Sequence, residues 1–87
     1  MFTTSRYPSK ETRKTAKMLA DVFSSRYVSR GKKPLDILVK KARNDGYRRI
    51  IIAEEEKGKL FRLRFIEVNA DGSWNWLSSV GFNEEQN

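Results

Sequence analysis

The spacing of apolar residues along the chain predicts two helices followed by a run of strands. Thr12, Ala16, Leu19, Ala20 and Phe23 recur at three- and four-residue intervals, a stripe that a helix entered through Pro8 and Ser9 would turn toward a core. Ser9 is the expected N-cap. Met18 and Val22 fall off that stripe. A second helix is expected from Pro34, with Leu35, Leu38, Val39 and Ala42 facing inward, Asp36 in its first turn and "NDG" as its stop. Beyond it the period shortens to two. "RRIIIAE" is a β-branched run suited to an interior strand, "LFRLRFIEV" alternates Phe61, Leu63 and Phe65 with Arg62 and Arg64, and "WNWLSSV" forms a last strand.

Two shorter strands are expected at Phe2–Ser5 and Arg26–Val28. The resulting order, β-α-β-α-β-β-β, describes an α/β (α+β) domain: a small mixed sheet of about five strands with both helices on one face. The domain should span residues 1–82, with 83–87 a frayed acidic tail. No apolar run approaches the length of a membrane span and no secretory signal pattern opens the chain, so a soluble protein with no membrane partner is expected.

Charge changes this picture most. Of 18 Lys and Arg, 14 lie in residues 1–49 against 4 acidic residues, while residues 50–87 carry 4 against 7. The front half is therefore +10 and the back half −3, which points to a polyanionic partner. Lys10, Arg13, Lys14 and Lys17 share a sector about 100° wide on the first helix, next to its apolar stripe. A helix N-terminus is already positive, so cations there suit a site that receives an external anion. The candidate phosphate-binding residues are Arg6, Ser9, Lys10, Arg13, Lys14 and Lys17, with Arg30, Lys32 and Lys33 of "SRGKK" as a plausible extension of the patch. The competing reading is an ordinary solvated face, yet only Glu11 is available there for helical pairing.

Aromatic residues carry a weaker signal. Tyr7, Tyr27 and Tyr47 each adjoin an Arg, which suits base stacking, although a tyrosine near a strand end more commonly edges a core. Trp74 and Trp76 are expected in the core or at a contact between two copies of the chain. Catalysis has little to work with. The chain holds no His and no Cys, Glu54–Glu56 alternate faces in a strand, and no Gly-rich phosphate loop has the required spacing. No cofactor and no metal site are expected. The lack of Cys suits a reducing compartment.

In order and spacing, Thr4-Ser5-Arg6, Pro8-Ser9, Arg13, Arg30-Gly31-Lys32, Leu35-Asp36 and Ile50–Ala53 resemble the Brix-domain family of ribosome-biogenesis factors, in its short archaeal form, over roughly residues 2–68. The resemblance implies a non-catalytic, cytoplasmic protein that binds ribosomal RNA during processing and subunit assembly. It also implies a half-domain similar to the anticodon-binding domain of class II aminoacyl-tRNA synthetases. It marks Arg6, Arg13, Arg30 and Lys32 as RNA-binding candidates. Family members hold two such halves, so a homodimer is expected here, with Trp74 and Trp76 as its candidate interface. The alternatives left open are a DNA-binding or chromatin-associated basic protein, and a module that docks on ribosomal or assembly proteins.

Overall fold

The Ile50–Ala53 run occupies the only kind of position that suits it, a strand covered on both faces. In the computed structural model, which describes residues 1–82, β1 (Phe2–Thr4) pairs in parallel with β2 (Arg49–Glu56). β3 (Lys59–Val68) runs antiparallel to β2, and β4 (Trp74–Gly81) antiparallel to β3, giving the order β1-β2-β3-β4. The helices are α1 (Lys10–Val22) and α2 (Leu35–Asn44). The expected acidic tail lies outside the described residues.

Register places the two helices on opposite faces, not on one. Ile50 pairs with Ile66 and Thr3 with Ile52, whereas Phe2 pairs with Ile51, and Ile51 with Phe65. Side chains alternate along a strand, so these are two different faces. On the first, α2 packs Leu38, Val39 and Ala42 against Ile50, Ile52, Ile66 and Val68. On the second, α1 brings Leu19 and Phe23 beside Phe2, Ile51, Leu63 and Phe65. Periodicity showed that each helix had an apolar stripe, but not which face it would meet.

The crossing between faces runs round the outer edge of β1, and there the fifth expected strand shrinks to a single bridge, Phe2 to Tyr27. Phe2 exchanges backbone bonds with Arg26 and Val28, both at 2.8 Å. The next rung would need the Val28 and Thr4 carbonyls. Val28 O instead accepts from Thr3 Oγ1 at 2.7 Å, and Thr4 O from Arg30 Nη1 at 3.1 Å. Side chains have taken the acceptors that a longer strand requires.

Several local expectations hold. Ser9 caps α1, and Gly31 and Gly46 take φ of +53° and +84°, left-handed values that a β-carbon disfavours. Phe23 departs from expectation. It lies one residue past α1, stacks on Phe2 with ring centroids 6.0 Å apart, and is 67% exposed although the helical wheel turns it inward.

Candidate nucleic-acid interface

The start of α1 is built by a cap and a borrowed carboxylate. The Thr12 N–H donates to Ser9 Oγ at 3.2 Å, and the Ser9 N–H donates to Glu55 Oε1 at 2.7 Å across from β2. Ser9 Oγ in turn lies 3.3 Å from the Gly58 carbonyl. The Ser9 N–H holds the Glu55 carboxyl below its usual range, and the hydroxyls of Thr12 and Ser9 add to the effect. The anion that the sequence invites at this helix end is thus the protein's own. A phosphate at this end would share it with that carboxylate.

Because Glu55 has a depressed pKa when folded, its contribution to stability is complete above its unfolded pKa and is lost as pH falls through the folded value. Glu55→Gln is therefore expected to lose less stability than the parent between about pH 6 and pH 3. Urea midpoints at the two pH values check this; parallel losses would remove Glu55 from the acid response.

The basic side chains themselves stay uncompensated. Lys10, Arg13, Lys14 and Lys17 are exposed along α1, Lys32 is exposed beside Arg13, and Arg6 is exposed on the α2 side near Arg64 and Trp76. Among the described residues, ion pairs join Arg26 to Asp45 at 2.6 Å and Arg62 and Arg64 to Glu54 at 2.7 and 3.6 Å; none involves those six cations. Arg13 and Lys32 meet at one surface recess of about 320 Å³, which Tyr7, Tyr27, Arg30 and Gly31 also line. Lys17 Nζ lies 5.6 Å from the centre of the Tyr27 ring. Burial pushes the Tyr27 phenol up, with Arg13 opposing it.

Three of the predicted site residues serve the framework instead. Ser9 is the cap of α1. Arg30 is 8% exposed, donating from Nε to Lys33 O at 2.7 Å and from Nη1 to Thr4 O. Desolvation lowers its pKa, and the Arg6 charge adds to this. Lys33 Nζ donates to Ser29 O at 2.8 Å. Arg30 and Lys33 together fix the loop that carries Lys32.

The tryptophans sit on the α2 face. Trp74 packs against the core beside Leu35 and Tyr47, and meets Trp76 edge-on with centroids 5.4 Å apart. Trp76 is 40% exposed and lies under the Arg64 guanidinium, 3.7 Å from its ring centre. Tyr47 is thus a core-edge residue. Tyr7 and Tyr27, weighted only lightly from sequence, are the ones that line the basic recess; their neighbouring arginines were the available signal. Among the described residues no group of acidic side chains is arranged to hold a metal ion.

Comparison with known proteins gives this geometry a context. No family model matches the chain. It is 37% identical over 78 residues to a probable Brix domain-containing ribosomal biogenesis protein of Pyrococcus abyssi, covering 88% of this chain and 34% of that protein. The chain is related to the Brix-domain ribosomal biogenesis proteins. A probable ribosomal biogenesis protein from Aeropyrum pernix has the same fold with a TM-score of 0.80 at 26% identity, over 90% of this chain and 44% of the other. Mil, an archaeal Imp4-like protein, matches at a TM-score of 0.72 and 30% identity, over 84% and 45% respectively. The Brix resemblance read from the residues is borne out. The chain spans about a third of the length of the curated relatives it matches and under half of each of these two solved ones. Among the described residues no helix is long and apolar enough to cross a membrane.

Proposed function

We propose that this chain is a non-catalytic RNA-binding module of the cytoplasm that assists ribosomal RNA processing and subunit assembly. The observation that carries the reading is the row of exposed cations Lys10, Arg13, Lys14 and Lys17 along α1, with Lys32 at the recess beside Arg13. Arg6 is exposed too but lies with Ile52, Arg64 and Trp76 on the α2 side, and none of the six has a carboxylate partner among the described residues. The ribosomal biogenesis relatives support it, and a fold of the anticodon-binding type belongs to the same proposal. With about five phosphates neutralised, log K for single-stranded RNA falls against log salt with a slope near −3.5. A slope near zero, or preference for duplex DNA over ribosomal RNA at one fixed salt, overturns it.

A homodimer is the second part of the proposal. We propose its contact on the α1 face, where Val80 pairs across from Leu63, Phe23 is largely exposed and Val80 half-exposed. The tryptophan pair lies on the opposite face, one ring in the core and the other under Arg64. The solved relatives are about twice this length of chain, and a second copy brings comparable mass. Sedimentation at micromolar concentration is expected to show twice the 10.2 kDa chain mass, and Val80→Glu to return it to a single chain. A parent sedimenting only as a single chain refutes the dimer.

A further inference from the structure

Two tyrosines at the basic recess are held in conformations that cost the free protein stability. Tyr7 has φ of +56°, in the left-handed region that bulky residues rarely occupy, and immediately precedes Pro8. Its side chain gains little from this, since the residue is 76% exposed. Such strain at a non-Gly residue persists where the surroundings enforce it, and it clusters at functional sites. Tyr27 adds an independent observation. Its hydroxyl is sequestered from solvent, and among the described residues nothing hydrogen-bonds to it. An orphaned buried polar group is an uncommon feature in a folded protein.

Both rings line the recess that Arg13 and Lys32 flank. At about 320 Å³ it lies at the small end of ligand sites, a size suited to one nucleotide unit rather than to a duplex. We infer that this recess receives a single unpaired nucleotide of RNA, with the base stacked on Tyr7, the phosphate between Arg13 and Lys32, and the Tyr27 side chain shifting to bring its hydroxyl, sequestered in the free protein, onto the nucleotide. The inference rests on the RNA-binding reading and adds to it the class of RNA taken. A base can offer its face to a ring only when it is unpaired, and such stacking is tolerant of sequence.

The assignment makes an unusual demand: the two tyrosines should oppose stability and favour binding. Tyr7→Gly relaxes the left-handed backbone, and Tyr27→Phe removes the orphaned hydroxyl while keeping the ring under Lys17. Each variant is expected to melt no lower than the parent. Binding is measured against a 12-nucleotide single-stranded RNA and a blunt RNA duplex at one salt concentration. Tyr7→Gly should weaken single-strand binding about tenfold and Tyr27→Phe about fivefold, with duplex affinity unchanged. Unaltered single-strand affinity in both variants overturns the nucleotide site. If Arg13→Glu/Lys17→Glu still weakens both probes, the phosphate-binding surface stands without it. If that double variant weakens neither, the RNA reading itself fails.

Discussion

Charge reversal at Arg13 and Lys17 is expected to weaken binding to ribosomal RNA on the order of 100-fold, from two charge-assisted contacts of about 1.5 kcal/mol each. The salt slope should flatten at the same time, from near −3.5 to about −2, because roughly two fewer phosphates are neutralised. Both side chains are exposed and without ion pairs among the described residues, so the fold should tolerate the change. The main intramolecular loss is the Lys17 contact with the Tyr27 ring, about 0.5–1 kcal/mol. The chain contains no His, so affinity should be nearly flat between about pH 5 and pH 8. Filter binding across a salt series measures all of this. Parent-like affinity in the double variant would detach α1 from the function.

Leu38→Ala should strike the centre of the core, costing about 2–5 kcal/mol. Leu38 is fully buried and packs α2 onto Ile50, Ile66 and Val68. A domain of this size has a total stability of about 4–13 kcal/mol, so the loss should lower Tm by more than about 10 °C. Phe23→Ala is the informative control. The helical wheel places both residues on inward stripes, yet Phe23 is mostly exposed within one chain, and in the Val80→Glu background, where the proposed dimer contact is broken, its loss should cost about 1 kcal/mol. Thermal melts at equal concentration decide between them, and an equal loss at both positions would contradict this packing.

What could be read from the residues was the periodic part of the structure. Ser9 as a cap, the Leu38–Val39–Ala42 stripe and the alternation of β3 each follow from local rules, and each is found. The cationic sector of α1 was legible for the same reason. What escaped was set by contacts distant in sequence. Glu55 reaches Ser9 from 46 residues away. Arg30, a surface candidate by composition, turns inward because the Thr4 carbonyl 26 residues earlier needs a donor. The same contact cuts short the expected strand at Arg26–Val28. That Tyr7 and Tyr27 share a recess depends on where the 27–32 loop folds against α1, and no local pattern encodes it.

The parallel pairing of β1 with β2 has a consequence in time. Phe2 meets Ile51 only after both helices and the loop between them have been made, whereas β2, β3 and β4 are joined by short turns. Closing the longer loop carries the larger entropic cost, so the hairpins should assemble first and β1 should dock late. During synthesis the cationic front half therefore leaves the ribosome before the strand that organises it. Until then its +10 charge is carried without the sheet that orders it, and the spacing between its cations is fixed only when the last strand-to-strand seam is sealed.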